Sequence, residues 1–118
     1  MPITPTEIED AMAQFSMLGP IRTRKMMGGL TLYAHDVTFA FYAPDQGYFL
    51  KSDAQTHADF EAAGMARFIF VAKSGKSGTM NYFAMPDAAY DDPEICEHWA
   101  RKSLDVALRA AAKKKKSP

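Results

Sequence analysis

An α+β domain is what the sequence predicts, and three observations predict it. Apolar residues recur at helical spacing near both ends of the chain. Through the middle the period shortens toward two, and turn residues cut that middle into hairpin-sized pieces. The expected order is α-β-β-β-β-α-β-β-α, folded as a two-layer sandwich of a mainly antiparallel sheet with helices.

The first helix is expected over residues 5–18. Thr4 can cap it, Pro5 suits the first helical position, and Glu7 stands three residues after the cap as in a capping box. Ile8, Met12 and Phe15 follow at helical spacing, and Gly19-Pro20 ends the run. Residues 21–27 read as extended and basic, with Arg22, Arg24 and Lys25. Gly28-Gly29 turns the chain into a strand over 30–35. His35-Asp36 is a hairpin tip without the usual glycine. Alternation over 37–42 places Val37, Phe39 and Phe41 on one face, Thr38, Ala40 and Tyr42 on the other. A further strand is expected over 48–51.

Asp53 can cap a short helix over 54–63, closed by Gly64 in a left-handed conformation. Strands over 67–73 and 79–85 flank a loop at 74–78 that should be solvent-exposed. Asp91-Asp92-Pro93-Glu94 starts the longest helix, where cap, proline and early acids suit the macrodipole. Its wide apolar stripe includes Ile95, Trp99 and Val106, with Ala100, Leu104, Leu108 and Ala111 beside it. Trp99 is expected to be substantially buried and to anchor that helix on the sheet.

Composition limits the function classes. The 118 residues suit one domain, 1–118, with a basic tail over 113–118. Apolar residues make up 47% and charged residues 24%, an ordinary globular balance, and the formal net charge is zero. Nothing global therefore draws the chain to nucleic acid or an anionic membrane. A single cysteine, Cys96, allows no internal disulfide and fits a reducing cytoplasm. No apolar run reaches the roughly 20 residues of a membrane-spanning helix, and the start of the chain lacks a signal-peptide layout.

No catalytic constellation emerges. Gly75-Lys76-Ser77 invites a phosphate-loop reading, but the earlier glycine of that motif is Phe70 here and a strand follows, not a helix. What survives is an anion cradle from backbone N–H groups with Lys73 and Lys76, set against a plain hairpin tip. His35, His57 and His98 are scattered and Cys96 and His98 diverge on their helix, so no metal site is expected. Cys96 reads as a semi-buried packing thiol. Eight methionines, among them Met26, Met27, Met80 and Met85, suit core filling or an adaptable surface. Lys113, Lys114, Lys115 and Lys116 form the only charge run, favourable at a helix C-terminus. A weak, sequence-blind nucleic-acid contact is the alternative.

Arg24-Lys25-Met26-Met27-Gly28-Gly29-Leu30-Thr31-Leu32-Tyr33 resembles the opening signature of the TfoX N-terminal domain family, named for a bacterial competence regulator. Phe39-Ala40, Leu50-Lys51, Phe60, Gly64, Phe68, Lys73-Ser74-Gly75-Lys76, Met80-Asn81-Tyr82, Pro86, Asp91-Asp92-Pro93 and Trp99-Ala100 continue it in order, from about residue 15 to 112. Met27 replaces the family's usual Phe, and His35-Asp36-Val37 lacks the common Asp-Gly hairpin. The resemblance implies a secretion-chaperone-like α+β sandwich, a regulatory role, and no enzyme activity, cofactor or catalytic residue. The C-terminal domain of the longer competence regulators has no counterpart in this sequence.

The leading expectation is thus a non-enzymatic regulatory or protein-interaction module. The rivals are a small-ligand or anion binder and a weak nucleic-acid binder. Arg22, Arg24, Lys73, Lys76 and Tyr82 are the candidate anion or partner contacts. One sheet face should be free of helices, yet residues 39–42, 68–71 and 82–83 place large apolar groups on both faces. That free face is expected to bind a protein partner or a second copy. Tyr42, Phe83 and either Phe68/Phe70 or Ile69/Val71 are expected to contribute.

Overall fold

A computed structural model describes residues 3–26, 28–71 and 74–116 of the chain. The elements are α1 (Pro5–Gln14), a 3-10 turn (Ser16–Leu18), β1 (Arg22–Met26), β2 (Gly29–Ala34), β3 (Val37–Ala43) and β4 (Gly47–Lys51). They continue with α2 (His57–Ala62), β5 (Arg67–Val71), β6 (Ser77–Ala84), α3 (Asp87–Asp91) and α4 (Pro93–Lys116). The six strands form one antiparallel sheet in the order β1-β2-β3-β4-β6-β5. This is the expected α+β class.

Local chemistry explains most boundaries. The Thr4 hydroxyl accepts from the Glu7 amide at 3.1 Å, and the Glu7 carboxylate accepts from the Thr4 amide at 2.9 Å, closing the capping box. α1 ends at Gln14, short of the expected residue 18, because the chain tightens there into the 3-10 turn. His35 and Asp36 both hold positive φ, 51° and 64°, the backbone of a primed two-residue hairpin. Gly64, at φ 78°, closes α2. Asp92 takes an extended conformation before Pro93, which separates α3 from α4. α3 was not anticipated; the Asp92 carboxylate nevertheless caps α4, accepting from the Glu94 amide at 2.9 Å.

Among the described residues, the ring contacts of the helices fall on one sheet face. Phe15, just after α1, meets Phe39 and Tyr48 edge-on at 5.2 Å each. Phe60 of α2 stacks on Phe83 at 5.3 Å, Tyr90 of α3 lies over Tyr48, and α4 runs across β3 and β4. Cys96, Ala100, Ser103, Leu104 and Ala107 of α4 are buried against the sheet. Ile95 and Trp99 sit on the shoulder of this stripe. Trp99 is partly buried, packed against Phe60 and the core cluster, and Leu108 faces solvent. Cys96 is fully buried; burial raises its thiol pKa, an effect partly offset by a hydrogen bond from Gln14.

The alternation expected for β3 breaks. Leu32 pairs with Ala40, but Tyr33 pairs with Thr38, so Phe39 is an extra residue, a β-bulge. Phe39 is therefore fully buried under the helices while Phe41 turns to the other face. A second irregularity lies in β6, where the four steps from Thr79 to Phe83 span two steps in β5, Arg67 to Ile69. Both shifts feed directly into the site described next.

Candidate functional site: the uncovered sheet face

Directly opposed residues in an antiparallel sheet share a face. The register therefore strings Arg24, Thr31, Phe41, Phe49 and Ala84 into one row across five strands. Arg22, Tyr33 and Thr38 form a neighbouring row, and Lys51 pairs with Tyr82. These rows face away from the helices.

At their centre four rings pack on one another. Phe41 and Phe49 stack at 5.0 Å with an interplanar angle of 13°. Phe68 meets both edge-on, at 5.0 and 4.9 Å, and Tyr82 meets Phe41 at 4.9 Å. Phe49 is only 5% exposed, yet it stands outside the main core cluster. Its cover comes from its ring neighbours. Phe41, Phe68 and Tyr82 remain half-exposed, and Met80 beside them is exposed. Burial among the rings, with a smaller contribution from Tyr33, raises the Tyr82 phenol above its ordinary pKa.

The charged residues on these rows are all basic: Arg22, Arg24 and Lys51. Arg22 lies over the Tyr33 ring at 5.5 Å and reaches Asp36 at the β2–β3 turn, 3.0 Å away. Arg22, Arg24 and Tyr33 also border a shallow groove of about 580 Å³ at the β1 edge, against Met12 and Ile21.

Two residues expected on this face lie elsewhere. Phe83 is 1% exposed and stacked on Phe60, on the helix side, because it falls in the Leu32–Ala40–Leu50 row. Tyr42 shares a row with Leu30 and Tyr48 on the helix side, and its hydroxyl donates to Glu7 of α1 at 2.8 Å. Desolvation and that bond push the Tyr42 pKa up to about 12. Of the two alternatives on β5, Phe68 joins the ring cluster, whereas Ile69 and Val71 point to the opposite side and stand exposed. The side chain of Phe70 lies outside the described residues.

The candidate anion contacts do not converge. Arg22 and Arg24 sit on β1, at one edge of the sheet, and Lys76 lies in the loop before β6 near the other. Four strand spacings, roughly 20 Å, separate them. Lys76 and Gly75 are exposed, with Gly75 at φ 87°, as a hairpin connection requires. Lys73 lies outside the described residues, as does Met27. α4 continues through the lysine run to Lys116, so that run is helix. The side chains of Lys115 and Lys116 lie outside the described residues.

One constellation escaped the sequence reading. The Ser52 hydroxyl lies 2.7 Å from His57 Nδ1 and 2.8 Å from the Thr56 hydroxyl, and Asp53 beside it pairs with Arg109 at 2.9 Å. Desolvation works against ionised Asp53, but Arg109, Thr56 and the Gln55 amide outweigh it and hold its pKa low. Ser52 is 2% exposed and locked inside this turn, which braces β4 against α2 and α4. A nearby groove is lined by Thr56, Asp59, Lys102 and Arg109, not by Ser52 or His57. The cluster is a structural corner. Serine and histidine five apart across a strand-to-helix turn were the available signal. Among the described residues no group of His, Cys, Asp and Glu could hold a metal ion, and no helix is long and apolar enough to cross a membrane.

A helix-backed antiparallel sheet with an aromatic and basic uncovered face defines an α+β domain with one open sheet face. The family model for the TfoX N-terminal domain matches residues 13–107, most of the chain. The protein belongs to the TfoX N-terminal domain family. No curated protein matches the sequence significantly.

Proposed function

We propose that this chain is a non-enzymatic regulatory module of the cytoplasm, touching transcription, that holds a protein partner on its uncovered sheet face. The observation carrying this reading is the cluster of Phe41, Phe49, Phe68 and Tyr82 on the side away from the helices. Half-exposed aromatic and methionine side chains with a basic rim are the composition of a protein-docking patch. Family membership supports the regulatory part.

The ring geometry favours protein over single-stranded nucleic acid. Base stacking needs free ring faces. Phe41 and Phe49 each turn one face to the other, and Phe68 and Tyr82 pack against Phe41 at steep interplanar angles of 83° and 64°. The patch offers apolar edges, which suit aliphatic and aromatic side chains.

Affinity capture from the native cell followed by mass spectrometry tests the reading, comparing wild type with a Phe41→Ser/Phe68→Ser variant of verified fold. Loss of a specific protein from the variant supports it. An identical capture profile from both would overturn it.

A further inference from the structure

The sheet is open, and its two outer strands are guarded differently. β1 carries Arg22, Arg24 and Lys25 in five residues, so a strand laid beside it meets a row of cations. Charged edges of this kind block stray pairing. β5 reads Arg67-Phe68-Ile69-Phe70-Val71 and has β6 on its inner side alone among the described residues. Its one cation is withdrawn from the edge: Arg67 Nε donates to the Met80 carbonyl at 3.2 Å, and its terminal nitrogen bonds the Asn81 side chain. Ile69 is 64% exposed and Val71 71%, the highest values among the exposed large hydrophobic residues described. Both project on the helix side of the sheet, opposite Phe68, beyond the ground that α2 covers through Phe83.

We propose that β5 is an interface: it pairs antiparallel with β5 of a second copy across a two-fold axis, joining two six-stranded sheets into one. Unpaired outer N–H and C=O groups call for another strand, and the charges choose which strand. β5 against β5 brings no described like charges into opposition and packs Ile69 and Val71 of both copies on one face. β5 against β1 of another copy would set three cations beside those side chains. It would also be a heterologous contact that need not close. A zero formal net charge leaves no global repulsion between copies. The pairing runs along an edge, so it is independent of partner binding on the uncovered face.

Sedimentation equilibrium and hydrogen exchange test it on the full chain. A strand-edge contact is small, so a reversible dimer is expected, with a dissociation constant on the order of 1–100 μM. Ile69→Lys and Val71→Lys, at exposed positions that leave the fold intact by circular dichroism, should each weaken it about tenfold or more. Leu108→Lys, exposed on α4, should not. Amides of residues 67–71 should exchange more slowly as concentration rises, while those of 22–26 stay unchanged. A strict monomer up to about 1 mM, or a dimer indifferent to both lysines, would overturn the proposal. A monomer that instead takes up an extended peptide on β5 overturns it equally.

Discussion

The two faces of this sheet hold nearly the same side chains and do different work. The helix-covered face has Phe15, Phe39, Phe60 and Phe83, each 1% exposed or less, cross-packed between strands and helices. The uncovered face has Phe41, Phe49, Phe68 and Tyr82, which cover one another within a single layer. Apolar content alone does not distinguish a core from a partly exposed cluster. What distinguishes them is whether a second layer supplies the partner atoms. The first arrangement stores folding free energy, and the second leaves part of its apolar area exposed.

The sharpest way to break that comparison is to truncate one ring on each face. Phe83→Ala removes a fully buried ring stacked on Phe60, and should destabilise by about 3–5 kcal/mol in denaturant melts. Phe41→Ala removes a half-exposed ring, so part of the lost area is already in water. About 1–2 kcal/mol is expected there, with a larger effect on partner capture than on stability. Equal losses at both positions would mean the uncovered cluster is a second core and not a docking surface.

The tyrosines sharpen the same contrast through pH. Tyr42, on the covered face, titrates at about 12, raised first by desolvation and then by its bond to Glu7. A phenol whose folded pKa exceeds its unfolded value of about 10 supports the fold fully below that value. The support is lost as pH rises from about 10 toward 12, so stability should fall across that window. Tyr82 is also raised, first by burial among the rings. Ultraviolet titration of single-tyrosine variants should show a bound partner moving Tyr82 further up while leaving Tyr42 in place. A shift of Tyr42 alone would put the partner on the wrong face.

Local signals made much of the fold legible. The Thr4–Glu7 capping box, the left-handed Gly64, the His35-Asp36 tip and the capped start of α4 each rest on a few adjacent residues, and each stands as expected. The division of rings between faces was not legible, because two register irregularities decide it. The bulge at Phe39 sends Phe41 away from the helices, and alternation without a bulge keeps the two together. No glycine marks that bulge; the tertiary setting agrees with it, since Phe39 packs edge-on beside Phe15 under the helices. Phe83 and Tyr42 were misplaced for the same kind of reason, since their faces follow from pairing across the sheet. The five-residue α3 was too short to show a period.

The smallest expected effect separates the roles of turn and bulge. Asp36 holds φ at 64°, where a side chain on Cβ is strained and glycine is not. Asp36→Gly relieves that strain but gives up the ion pair with Arg22, whose side chains are 66% and 90% exposed, for Arg22 and Asp36 respectively. A pair so exposed contributes about 0–1 kcal/mol, and glycine adds unfolded-state entropy that offsets part of the gain. A net stabilisation of about 0.5 kcal/mol is therefore expected in thermal or urea melts. The turn already has the backbone that glycine prefers, so the register should not move, and nuclear Overhauser contacts between Phe41 and Phe49 should persist. If the substitution instead returns Phe41 to the helix side, then the strained turn, and not the packing beside Phe15, holds the bulge in place.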